Sequence, residues 1–359
     1  MIARQGLSLP LRDPRCLGKF TLAEWSLLLR QARPSGLLAR LAWRIEEAGM
    51  LAAVPEPVRP HLAAERILAA KHERDVRFEV RCLSEALAPL GIPLVLLKGA
   101  AYVMAALPPA RGRLFNDIDI LVPKAEIGRV EETLARHGWA LHSMSAYDER
   151  YYRRWMHEIP PMIHLERRTT VDVHHTILPE TTGLALDAAK LFAAARPVDG
   201  TRALHVLAPA DMTLHSAVHL FNEGEFRHGL RDLDDIDRLL RHFGADPDFW
   251  PRLVARAVEL DLRRPLYYAL RYGAALLDTP VPPALREAAQ LAPPAAPLQA
   301  LMDRLFDHAL RANHASCRTL SSPLALWLLY MRAHYLRLPP HLLLPHLMRK
   351  AYMRWFERD

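Results

Sequence analysis

The sequence predicts an α+β fold, a small strand-bearing core with helices before and after it in the chain. Three observations predict it. Residues 92–97 (Ile-Pro-Leu-Val-Leu-Leu) form a short, continuous apolar run, as in a buried strand. Residues 117–122 (Asp-Ile-Asp-Ile-Leu-Val) open with strict polar–apolar alternation, the period of a strand with one buried face. Around these runs apolar residues recur by threes and fours, over 62–90 before them and from about 184 onward, which is helical spacing.

The elements follow in order. Thr21-Leu22-Ala23-Glu24 is a capping-box pattern at the start of a helix. Pro55, Pro57 and Pro60 punctuate the chain and mark a seam. A long helix is expected over 62–90, closed by Gly91. The apolar run then ends at Lys98-Gly99, a helix follows, and a loop containing Arg111 and Arg113 leads into the second strand. Pro123 closes that strand, and an amphipathic helix runs to Gly138. Weaker strand signals lie at 139–143, 162–167 and 171–177. At roughly 150 residues per domain, the 359 residues divide into an N-terminal helical segment (1–60), a core (61–183) and a helical C-terminal domain (184–359).

Composition narrows the function classes. Lys plus Arg is 47 and Asp plus Glu is 40, a net charge of +7. This mild excess suits a phosphate-bearing partner. No dense Lys/Arg stripe with interleaved aromatics appears, so nucleic acid is not expected as the main substrate. Three scattered cysteines, Cys16, Cys82 and Cys317, indicate neither a disulfide framework nor a zinc site. With no signal-peptide pattern at the start and no run of about 20 apolar residues, a cytoplasmic location is expected.

The chemistry concentrates in carboxylates. Residues i and i+2 of a strand share a face, so Asp117 and Asp119 project together while Ile118 and Ile120 face the core. Two adjacent carboxylates repel, and a hard divalent cation, Mg²⁺ or Mn²⁺, offsets that repulsion through oxygen ligands. Asp172, in Val171-Asp172-Val173-His174, is the candidate third ligand, on a strand pairing beside the first. Alone, Asp-x-Asp describes a surface strand with two solvated carboxylates equally well; the order of the surrounding elements decides for the site.

That order is strand, Lys-Gly, helix, Arg-bearing loop, Asp-x-Asp strand. Leu97-Lys98-Gly99, Arg113, Asp117-Ile118-Asp119-Ile120-Leu121-Val122 and Val171-Asp172-Val173-His174 resemble a bacterial family of uncharacterised nucleotidyltransferases, in the superfamily that includes DNA polymerase beta. The resemblance covers about residues 85–240. It implies a small mixed-sheet nucleotidyltransferase core and metal-dependent transfer of a nucleotidyl group from a nucleoside triphosphate, such as ATP, to an acceptor that is a small molecule or a protein. Asp117, Asp119 and Asp172 are then the catalytic, metal-binding set, and Lys98, Gly99 and Arg113 (with Arg111 as the alternative arginine) hold phosphate. The competing class is a catalytically degenerate fold that binds a nucleotide or a partner. Many superfamily members place a small polar residue after this glycine; here it is Ala100, which has no hydroxyl, leaving Lys98 and backbone N–H groups to meet the anion.

The remaining signals are read as structural. His174 is assigned to the face opposite Asp172, and His175 receives no role. His215 and His219, at i and i+4 on a helix, lack the glutamate of a metalloprotease helix and are read as packing or substrate contacts. The apolar, basic segment 325–359 is expected to dock on the core, with peripheral membrane contact as the alternative. Finally, three mutually repelling carboxylates imply that Asp119→Asn leaves the metal-free protein at least as stable as the wild type.

Overall fold

The computed structural model describes residues 6–184, 186–198, 204–286, 289–339, 341–345 and 348–349. The N-terminal helices are α1 (Ser8–Arg12), α2 (Leu22–Ala32), α3 (Leu38–Glu47) and the long α4 (Arg59–Leu87). The core contains β1 (Leu94–Leu96), α5 (Lys98–Met104), β2 (Asp117–Leu121), α6 (Ile127–Arg136), β3 (Trp139–Leu141), α7 (Ala146–Trp155), β4 (Met162–His164) and β5 (Thr170–His174). After it come α8 (Ala188–Ala194), β6 (Arg196–Pro197), β7 (Leu204–Val206), α9 (Pro209–Asn222), α10 (Gly229–Phe243), α11 (Phe249–Glu259), α12 (Arg263–Leu277), α13 (Pro283–Arg286), α14 (Ala296–Ala309) and α15 (Ser322–Arg337).

Local sequence explains most boundaries. Thr21 Oγ1 accepts from Glu24 N–H while the Glu24 carboxylate accepts from Thr21 N–H, so the capping box fixes the start of α2. A 3₁₀ turn over 88–90 ends the α4 run at Gly91. The strands are shorter than their apolar runs: β1 keeps three residues of 92–97, because Pro93 has no N–H to donate to a ladder.

The strands form one mixed seven-stranded sheet in the order β3-β4-β5-β2-β1-β7-β6. β2 runs antiparallel to β1 and parallel to β5, and β1 runs parallel to β7. The presence of β6 and β7 departs from the sequence reading, which finds helical patterns from 184 onward. β7 lies directly beside β1, so the sheet extends past residue 183. Three residues are too short to show a period; pairing with the distant β1 makes them a strand. A single hydrophobic core joins the N-terminal Trp25, Leu28 and Leu41 to the sheet's Leu96 and Ile120 and to Phe221 of α9.

α15 buries Ala325, Leu329 and Ala333 and leaves Leu324, Trp327 and Tyr335 exposed. Much of the expected C-terminal docking or membrane segment (340, 346–347 and 350–359) lies outside the described residues. Among the described residues no helix is long and apolar enough to cross a membrane.

Candidate active site

β2 and β5 lie side by side in parallel register, with Asp117 opposite Thr170, Asp119 opposite Asp172 and Leu121 opposite His174. Residues in register on adjacent strands share a face, and so do residues two apart. Asp117, Asp119 and Asp172 therefore project from one face of the sheet, while Ile118 and Ile120 are buried on the other. The same count corrects the assignment of His174. It stands two residues beyond Asp172, on the same face, and its Nε2 lies 3.0 Å from Asp119 Oδ1.

Lys98 occupies the turn from β1 into α5 with φ of 42°, the left-handed region. For a residue with a Cβ this conformation costs ~1–2 kcal/mol. The turn aims the ammonium at the carboxylates: Lys98 Nζ donates to Asp119 Oδ1 at 2.9 Å. Burial alone disfavours the ammonium, but Asp119, with Glu223 and Glu158 further off, outweighs it and holds Lys98 protonated. Burial likewise disfavours the Asp119 carboxylate, yet Lys98 and His174 hold it well below the usual carboxylate range. Lys98 is thus bound to an aspartate in addition to facing the cleft where phosphate was expected.

The other two carboxyls respond in the opposite direction. Asp117, exposed at the start of β2, is raised by partial desolvation beside the cleft and then by Asp119. Burial, Asp119 and Glu158 push Asp172 up to about 8. Asp172 Oδ1 is buried without a hydrogen-bond partner among the described residues. Three carboxyl groups on one face, one with an orphaned oxygen, fit a hard divalent cation such as Mg²⁺, which would displace the Asp172 proton.

Asp117 and Asp119 open onto a cleft of about 310 Å³, whose near wall is Lys98, Gly99, Tyr102 and Arg113. α9, the residues following it and α10 form the far wall, with Ser216, His219, Glu223, Arg231 and Asp232. Asp172 does not line this cleft. Tyr102 Oη and Ser216 Oγ, 2.7 Å apart, tie the two walls together. His219 Nε2 lies 3.1 Å from Glu223 Oε2, whereas His215 is buried in packing.

Arg113 lines the cleft but has a protein partner, Asp235 of α10. Burial, then Arg231, lowers its guanidinium to about 10. Asp235 also accepts from Arg40 Nη2 at 3.0 Å; Arg40 Nη1 bonds Asp234, and Arg40 Nη2 donates to Pro109 O at 2.6 Å. Arg40 is fully buried. Gly112, at φ +69°, brings the arginine loop so close to α3 that a Cβ there would sit 2.8 Å from the Arg40 backbone. Arg111 is mostly exposed and reaches Glu47 at 3.5 Å, away from the cleft lining.

Sequence reasoning missed Arg40, Asp235, His157, Glu158 and Glu223. A signal existed for Asp235: Asp234, Asp235 and Asp237 crowd an otherwise amphipathic helix, and all three are buried. For His157 and Glu158 there was none, since they precede Pro160-Pro161 in a stretch with no period.

Gly99 has a packing role. A Cβ there would meet Phe115 Cδ1 at 2.7 Å and Arg113 Nε at 3.5 Å. Gly99→Ala is expected to push the Phe115 ring and the Arg113 side chain aside and to destabilise the fold by ~1–3 kcal/mol. Urea unfolding checks this; an unchanged midpoint would show that the wall has slack.

No curated protein sequence matches the chain. The model of one protein family does, across residues 21–278, a span holding the cleft, both of its walls and Arg40. With that match laid over an aspartate-bearing mixed sheet, the chain belongs to the family of uncharacterised nucleotidyltransferases.

Proposed function

We propose that the protein transfers a nucleotidyl group from a nucleoside triphosphate to an acceptor, a small molecule or a protein, with Mg²⁺ or Mn²⁺ held by Asp117, Asp119 and Asp172. The observation that carries this reading is the one-face array of three aspartates beside a half-buried lysine. A bound cation would neutralise triphosphate charge and polarise the phosphorus under attack. Lys98 holds Asp119 ionised and fixes its orientation. Arg113 and Arg231 place positive charge in the lining of the cleft, each already oriented by an aspartate. Asp172, which holds a proton in the metal-free protein, would release it on binding the cation and complete the ligand set.

Incubation with α-labelled nucleoside triphosphate, Mg²⁺ or Mn²⁺ and a cell lysate should move label onto an acceptor, and γ-label should not follow. Transfer of the γ-label alone would overturn the reading. A second reading, nucleotide binding without chemistry, is favoured by Ala100, which offers no hydroxyl, and by the engagement of Asp119 Oδ1 with both Lys98 and His174. Both readings predict that Mg²⁺ plus a triphosphate raises the melting temperature, by mass action on the folded state. A shift without label transfer selects the second; no shift with any of four ribonucleotides at millimolar concentration rejects both.

A further inference from the structure

Beside the aspartates lies a second group of donors with a different chemistry. His157, Glu158 and His174 each present a ligand atom, and these atoms all lie within 4.8 Å of one another. His157 and His174 are buried and Glu158 nearly so. The backbone holds them in place: Glu158 bridges His174 in antiparallel fashion, Ile159 N–H donates to Val173 O at 3.0 Å, and His175 N–H donates to His157 O at 2.9 Å.

Hydrogen bonding within the group does not satisfy it. His174 Nε2 faces two carboxylates at once, Asp119 Oδ1 at 3.0 Å and Glu158 Oε2 at 3.3 Å, and a single N–H cannot serve both well. His157 Nδ1 and His174 Nδ1 are buried without partners among the described residues. Two ligands of one tetrahedral ion with bonds of about 2.1 Å stand about 3.4 Å apart. The His174–Glu158 separation is that of such an edge. Imidazole nitrogens favour d-block ions, while all-oxygen sets favour Mg²⁺.

We propose that His157, Glu158 and His174 bind a zinc-class divalent ion at a site adjoining the three aspartates but using none of them as ligands. Three protein ligands leave one coordination position open. Binding turns His174 Nε2 from Asp119 to the ion, so Asp119 keeps Lys98 as its partner and gains a free lone pair. The site also pins residues 157–159 against the end of β5. This inference does not depend on nucleotidyl transfer, since it concerns other side chains and another class of ion.

Metal content after stripping, reloading with Zn²⁺ and gel filtration tests it. The wild type should retain about one equivalent of Zn²⁺, unaffected by excess Mg²⁺. Asp117→Asn should retain it equally, whereas His157→Ala and the near-isosteric Glu158→Gln should each lose at least tenfold in affinity. Co²⁺-loaded wild type should show visible absorption bands that vanish in His157→Ala. The proposal fails if the wild type holds no stoichiometric Zn²⁺, if Asp117→Asn loses it, or if folded Glu158→Gln and His157→Ala both keep it. The wild-type measurement stands even where a variant does not fold.

Discussion

Asp119→Asn should lower the stability of the metal-free protein by ~3–5 kcal/mol, while Asp172→Asn leaves it unchanged or raises it. The sequence reading expected relief of repulsion at Asp119. The structure reverses that expectation, because Asp119 is the paired carboxylate of the three. Its Oδ1 receives Lys98 Nζ and lies 3.0 Å from His174 Nε2, and removing its charge strands a half-buried ammonium. Asp172 is the one held against its ionisation, pushed up to about 8 by burial, Asp119 and Glu158. In the metal-free protein the folded state keeps the Asp172 proton and the unfolded state releases it near 3.8, so this residue's contribution to stability falls as pH rises from 3.8 to about 8. That slope should be absent in Asp172→Asn and reduced by Mg²⁺ in the wild type. Both substitutions should depress nucleotidyl transfer by orders of magnitude. Melting curves across this pH range, with and without Mg²⁺, are the measurement. An Asp119→Asn protein as stable as the wild type would show that Lys98 has another counter-charge.

Loss of Arg40 should be comparably severe although it does not line the cleft and reaches it only through Asp235. Arg40→Met removes a fully buried guanidinium that bonds Asp234, Asp235 and Pro109 O. Two buried carboxylates then share two guanidiniums, Arg113 and Arg238, where before they had three. Breaking a buried ion pair by deleting one partner costs about 3–5 kcal/mol. Arg40→Lys should rescue little, because an ammonium is a point charge and cannot span three acceptors in the plane of a guanidinium fork. The second consequence is local: Asp235, freed of Arg40, draws harder on Arg113, and the Mg²⁺–triphosphate thermal shift should shrink in whatever protein remains folded. Denaturant unfolding and nucleotide-dependent melting give the two readouts separately. A mild loss of stability with an unchanged nucleotide response would reduce Arg40 to a packing residue.

The sequence by itself determined the local features of this protein. The capping box at Thr21, the helix ending at Gly91, the β1 and β2 strands, and the shared face of Asp117 and Asp119 all follow from periods of two and 3.6 and from backbone restrictions acting within a few residues. Correct counting along β5 would also have put His174 with Asp172. Tertiary structure alone decided which charges became partners. Nothing near residue 98 says that Lys98 turns onto Asp119, nothing near 113 names Asp235, and Arg40 is one arginine among many until α3 meets α10. β7 became a strand by lying beside β1, and His157 and Glu158 joined His174 only through the pairing of their segment with β5. The physical reason is common to these cases. Periodicity reports which face of an element leaves water, whereas a buried charge is tolerated only beside its counter-charge, and the fold supplies that neighbour from a distant part of the chain.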